Sequence, residues 1–260
     1  MRRKHLLSTV VMILVVGLLA ACGGKTTTSE GYQLAEGGKF TFASSGEFKP
    51  FSMTDGSGVM TGFDIEVGEA VAAELGLEPS QQKYKFNAIV EGVKTGRFDA
   101  AVASHTITEE RLESVNFSTP YYYSGPQIFV RPDSNIQTLD DLTGLEVAVS
   151  KGSTYADTAA EVTDTIIQYD SDVTALESLN NGKHDAVITD FITGKEAIGA
   201  GFSIEGRALL GRSEQAIAVS KENEALLEAI NDALQTLREN GTLKDISIKY
   251  FGEDITVAPE

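Results

Sequence analysis

Cys22 is the only cysteine in 260 residues. No internal disulfide can form, and no thiolate cluster can hold a metal. Histidine is nearly as scarce, with only His5, His105 and His184. No HExxH, GxSxG, Walker or metal-ligand spacing occurs, and no serine has an evident base partner in the sequence. Neither a cofactor nor a metal is therefore expected, and no enzyme. Cations are the third shortage: 21 Lys and Arg against 38 Asp and Glu give a formal net charge of −17. A surface of that sign repels nucleic acid and anionic lipid headgroups. Nucleic acid is thus not an expected partner.

The one long apolar run opens the chain. Arg2, Arg3 and Lys4 precede Leu6 to Ala21, which is apolar or small except for Ser8 and Thr9. A basic start followed by a stretch too short for a comfortable membrane span reads as a secretory signal over residues 1–21. It ends in Leu19-Ala20-Ala21-Cys22, similar to the bacterial lipobox, in which the cysteine is lipid-modified and becomes the new N-terminus. The alternative is an ordinary signal with an incidental cysteine. A lone cysteine placed directly after the small residues and before a polar tail favours the lipid anchor. Cleavage removes three cations and no anions, taking the net charge from −17 to about −20. Residues 22–38 are polar, Gly/Thr-rich and without apolar periodicity, as a flexible tether would be.

The remaining part, about 220 residues, suits two lobes better than one small core. Strand-like and helical runs alternate along it. Lys39 to Ser44 alternates as a strand, and Gly62 to Leu75 carries apolar positions at helical spacing until Gly76 stops it. Ile89 to Lys94 reads as a helix, Ala100 to Ala103 as a buried strand, and Leu145 to Val149 as a strand. Thr154 to Glu161 is predicted helical, Ile166 to Tyr169 strand, Val173 to Leu179 helix, Ala186 to Ile188 strand and Phe191 to Ala200 helix. Such alternation predicts an α/β protein with mostly parallel sheets flanked by helices, with ligands beyond the carboxyl ends of the strands.

Residues 97–125 concentrate the chemistry. A short apolar strand delivers Ser104, His105 and Thr106 to a helix start whose first turn holds Arg111, and the segment closes on FSTPYYYSG. Hydroxyls, a helix N-terminus and the planar fork of an arginine make a site for a small carboxylate. A weak internal repeat adds the opposite charge. GRFDAAVASHTIT and GKHDAVITDFIT align Gly96 with Gly182, Asp99 with Asp185, and Ser104 with Asp190. Any two helix-to-strand connections look alike, which is the bland account of the match. If it is real, one lobe offers hydroxyls and a cation and the other an anion, complementary to a zwitterion.

Six segments in order resemble one family. They are ASSGEFKPF (43–51), GFDIEVGEAVAAELGL (62–77), GRFDAAVASHTITEER (96–111), VNFSTPYYYSG (115–125), LDDLTGLEVAVSKGST (139–154) and LRENGTLKDISIKYFG (237–252). The chain resembles the polar amino-acid-binding proteins of ABC importers, which have the type II periplasmic-binding fold. The resemblance implies two lobes joined by two crossover hinge strands: 39–126 with 214–260 as lobe 1, and 127–213 as lobe 2. It implies an amino acid and a membrane permease as partners, a monomer, and an extracytoplasmic location held to the cell membrane by the lipidated Cys22. By the family pattern Arg111 takes the α-carboxylate, helped by Thr106 and Thr154. Ser104 and Asp190 fall at the α-ammonium, and Phe48 and Phe86 sandwich the side chain.

Each residue also has a plainer reading. Arg111 could be a solvated surface charge, Thr106 with Glu109 a capping box, Asp190 an N-cap, and Phe48 and Phe86 core. Asp64 reads as an N-cap or structural contact. Ser45 stands where many relatives carry a carboxylate, which argues against a cationic side chain; Glu47 is close by in sequence. Ser150 stands where some relatives have lysine or glutamine, and His105 points away from its flanking hydroxyls into the lobe. A neutral polar or cystine-like amino acid follows. The alternatives are a secreted dehydratase-like enzyme of the same fold, a carrier of a non-amino carboxylate or opine, and a sensor domain, which would need a transmembrane helix and a signalling module downstream.

Overall fold

The computed structural model describes residues 26–259. The expected signal, residues 1–21, and Cys22 lie outside the described residues. Two mixed sheets organise the rest. The first runs Tyr122–Ser124, Ser213–Ser220, Ala100–Thr106, Lys39–Ser44, Glu78–Lys83, with Val115–Phe117 also on Ser213–Ser220. The second runs Ile166–Tyr169, Val147–Ser150, Ala186–Asp190, Pro126–Val130, Glu205–Leu209.

Each sheet has a parallel centre. Lys39–Ser44 lies parallel to Glu78–Lys83 and Ala100–Thr106, and Val147–Ser150 to Ile166–Tyr169 and Ala186–Asp190. Strands joined through a covering helix must return in the same direction; helices Phe63–Glu74, Phe86–Lys94, Thr154–Ala160 and Asp172–Asn180 are those covers. The crossover strands escape that constraint and pair antiparallel: Ser213–Ser220 with Ala100–Thr106, and Pro126–Val130 with Ala186–Asp190. Parallel centres with antiparallel additions are thus the outcome of the predicted alternation. Helices Glu224–Glu239 and Thr242–Phe251 return to the first lobe, where Leu226, Ile230, Leu234 and Leu243 join Phe40, Phe42, Phe63 and Val71 in one core.

The repeat is real at the level of backbone. Gly96 and Gly182 both adopt positive φ, 73° and 79°. Asp99 Oδ2 accepts from Thr41 N at 2.7 Å, and Asp185 Oδ2 from Glu146 N at 2.9 Å. Each aspartate therefore ties its strand to the start of the neighbouring parallel strand.

The expected tether needs correction over its described part. Thr26–Thr27 pairs with Gln33–Leu34, and Tyr32 and Leu34 are buried in the first lobe's core. The Asn223 side-chain amide clamps the Gln33 backbone, its Oδ1 accepting from Gln33 N at 3.1 Å and its Nδ2 donating to Gln33 O at 2.8 Å. Two apolar side chains two residues apart are too short a pattern to register as periodicity, yet they suffice to dock the segment.

The two crossovers pass backbone against backbone. A Cβ on Gly125 would lie 2.2 Å from the Gly211 carbonyl oxygen. Gly125→Ala must force the crossing apart, and overpacking of this kind costs about 1–3 kcal/mol. The expected result is a lower melting temperature, roughly 2–4 °C per kcal/mol in a chain of this size. An unchanged melting temperature would show that the crossing has room.

Candidate ligand-binding site

A cavity lies between the carboxyl ends of the two sheets. Its wall on the first lobe includes Ser45, Phe48, Phe86, Ser104, Thr106 and Arg111. Ser150 and Thr154 face them from the second lobe. Eight of the nine expected ligand contacts are thus brought together. Asp190 is not among the lining residues: it is buried at the end of its strand, where Oδ1 accepts from Ile192 N at 2.8 Å and caps helix Phe191–Gly199.

Arg111 reaches the cavity from the short helix Glu109–Ser114. The cap of that helix is Thr108, whose hydroxyl accepts from Arg111 N at 3.2 Å, so the capping-box reading of Thr106 is corrected. Thr106 is released to the site. The guanidinium is held by carbonyls: Nη1 donates to Thr106 O at 2.8 Å and Nη2 to Gly152 O at 3.0 Å, the latter across the cleft. Three of its five N–H groups stay available to an anion. Thr193 Oγ1 donating to Lys49 O at 2.9 Å is a second contact between the lobes.

Both aromatic rings are backed on one face. Phe48 stacks on Phe51 with centroids 4.9 Å apart, and Phe86 on His105 at 4.5 Å. The Arg111 guanidinium sits 5.9 Å from the Phe86 centroid. His105 is buried and does not line the cavity; burial, with Arg111 nearby, holds its pKa well below the ordinary range. It serves as the floor beneath Phe86 in neutral form.

Residues 40–253 match the family described as bacterial extracellular solute-binding proteins, family 3. The chain belongs to this family. Relatives extend over nearly its whole length. The L-cystine-binding protein TcyJ of Escherichia coli (strain K12) is 32% identical over 266 residues, covering 98% of this chain and 100% of that one. The arginine-binding extracellular protein ArtP of Bacillus subtilis (strain 168) is 28% identical over 256 residues, covering 95% and 98%. An ancestral arginine-binding protein bound to glutamine superposes with a TM-score of 0.79 at 32% identity, over 84% of this chain and 100% of that one.

This solute-binding protein places two acids in the cavity that the sequence did not single out, Asp170 and Asp172. Asp172 opens helix Asp172–Asn180 behind the Ser171 cap, at the carboxyl end of strand Ile166–Tyr169. Its Oδ1 accepts from Ser150 Oγ at 3.0 Å and from Thr189 Oγ1 at 2.6 Å. Burial raises its pKa against those two bonds. Burial likewise pushes Asp190 up to about 7. The available signal was position alone: an acid just past a predicted strand end, on the ligand side of the sheet. Glu47 and Asp170 also line the cavity, but Glu47 pairs with Lys83 at 2.9 Å and Asp170 with Lys85 at 3.2 Å. Among the described residues no group of three His, Asp or Glu could hold a metal ion.

Proposed function

We propose that the protein is the substrate-binding component of an amino-acid ABC importer and captures a zwitterionic amino acid with a neutral polar side chain, L-cystine or a close counterpart. The charge pattern of the cavity carries this reading. Arg111 and Asp172 line it, and neither has an ion-pair partner among the described residues, whereas Glu47 and Asp170 are matched by lysines. One free cation and one free acid suit one carboxylate and one ammonium. The full-length relationship to a cystine-binding protein supports the same choice.

Arg111, with Thr106 and Thr154, takes the α-carboxylate through charge-assisted bonds. Asp172 and the Ser104 hydroxyl take the α-ammonium, with the charge of Asp190 behind them. Phe48 and Phe86 exclude water from the side chain, strengthening both pairings, and Ser45 and Ser150 meet its polar atoms. The ligand docks first on Arg111 and the rings, and closure about the crossovers brings Thr154 and Asp172 onto it. It shifts the equilibrium by binding the closed form better. The protein acts by capture and delivery rather than catalysis: His105 is packed beneath Phe86, and His184 is bonded to Glu146 and Tyr169 away from the cavity. Cys22 anchors it, as a monomer, beside its permease outside the cytoplasm.

Arginine is the second reading, favoured by Glu47 and Asp170, which could exchange their exposed lysine partners for a guanidinium. A thermal-shift screen against amino acids, opines and small carboxylates separates the two. A ligand held by the folded state alone stabilises it by about 2.7 kcal/mol at a hundred times Kd, so cystine is expected to raise the melting temperature. A rise with arginine alone keeps the carrier and discards the specificity. A rise only with a non-amino carboxylate overturns the ammonium site and reopens the enzyme alternative.

A further inference from the structure

Ser104 is the only non-glycine residue with positive φ among the described residues, at 58°. The left-handed region is uncommon for such a residue, so neighbours must impose it. Three hydrogen bonds do. The Ser104 N–H donates to the Tyr121 hydroxyl at 2.9 Å, that hydroxyl donates to Asp64 Oδ1 at 2.6 Å, and Ser104 Oγ donates to Asp64 Oδ2 at 2.8 Å. Asp64 and Tyr121 are fully buried and do not line the cavity; Ser104 does. Burial raises Asp64 to about 6 against the two hydroxyl bonds, which leaves it ionised at neutral pH.

A serine hydroxyl has one proton and two lone pairs, and an ionised carboxylate only accepts. Asp64 therefore holds the Ser104 proton, and what Ser104 turns to the cavity is a lone pair. We infer that Asp64 is a positioning residue for ligand selection: by making the Ser104 hydroxyl an obligatory acceptor, it sets the cavity to favour a ligand that brings an ammonium over one that brings no donor. A ligand without the donor leaves the lone pairs of that oxygen unmatched in the closed cavity. The inference deepens the amino-acid reading above and rests on it.

The test is a ratio, which a purely structural role would not move. Affinities are measured by calorimetry for L-cystine against dithiodipropionic acid, which lacks both amino groups, and for L-arginine against guanidinovaleric acid. In Asp64→Asn the amide donates to Ser104 Oγ and turns its proton into the cavity. The ratio of amino to deaminated ligand is expected to fall about 30-fold, the scale of a hydrogen bond to a charged group. Ser104→Ala should give a similar collapse, and the double variant no further one, because the two residues act as a unit. Tyr121→Phe lowers the melting temperature but leaves the Asp64–Ser104 bond, so its ratio stays within about threefold of wild type.

A folded Asp64→Asn chain with an unchanged ratio, or additive losses in the double variant, overturns the inference and leaves the amino-acid reading standing. If Asp64→Asn does not fold, the ratio must survive Tyr121→Phe and collapse in Ser104→Ala; the reverse also overturns it. A wild-type protein that binds no amino acid in the thermal-shift screen overturns both.

Discussion

Arg111→Ala is expected to weaken amino-acid binding about a thousandfold, and Arg111→Lys to recover only part of the loss. Removing one member of a buried ion pair strands the other, which costs about 3–5 kcal/mol, and each 1.4 kcal/mol is tenfold in Kd. The guanidinium is also pre-aimed. Its bonds to Thr106 O and Gly152 O and its place near the Phe86 ring fix the plane before a ligand arrives. A lysine supplies a point charge on a flexible stem, and its three donors cannot serve two carbonyls and both oxygens of a carboxylate. Because the Gly152 bond crosses the cleft, the alanine variant also loses part of what draws the lobes together. Calorimetry with the ligand found by the screen checks this. An Arg111→Ala protein within about tenfold of wild type would move the carboxylate elsewhere, to the helix N-terminus at Thr154 first.

Much of the fold was legible because strands and helices here differ in pattern. Ala100–Thr106 and Val147–Ser150 are apolar runs beside glycines, and Phe63–Glu74 has helical spacing bounded by Gly62 and Gly76. Glu78–Lys83, reading EPSQQK, has no strand signal of its own. It is a strand because it lies at the sheet's edge with its whole length in register against Lys39–Ser44, a backbone property that side chains do not announce.

In the site, the positions on strand ends and first helical turns could be read from spacing and family pattern. Asp190 shows the limit of that logic. It ends a strand in the place equivalent to Ser104, but its strand lies beside a crossover, with Pro126 opposite Asp190, and the side chain turns back to cap its own helix. Asp172 shows the converse: inside YDSD it looks like one of several surface acids. Only the pairing of Asp170 with Lys85, and the burial of Asp172 against Ser150 and Thr189, separate the two.

Those buried acids give opposite pH trends for stability and for binding. Asp64 and Asp190 have pKa values raised by burial to about 6 and about 7 from 3.8, and Asp172 is raised as well. An acid raised in the folded state contributes stability that is fully present below its unfolded value and is lost as pH rises through the folded value. Going from about pH 8 to pH 5, Asp64 and Asp190 together gain on the order of 4 kcal/mol, at about 1.4 kcal/mol per tenfold. His105 works the other way, because a histidine buried neutral loses stability as pH falls below the ordinary value of 6.5; protonation of an ordinary histidine in the unfolded chain limits that loss at pH 5 to at most about 2 kcal/mol. The acids win, so the ligand-free protein is expected to melt higher at pH 5 than at pH 8. The proposed ammonium site draws on the same acids in their ionised form. If the charge of Asp190 is required, affinity falls about 100-fold over that range, the ratio set by a group with pKa about 7 read at pH 5. Melting curves with and without ligand at the two pH values check both trends at once. An affinity that does not change with pH would remove the raised carboxyls from the ammonium site, and a ligand-free melting temperature that rises with pH would mean that His105 outweighs them.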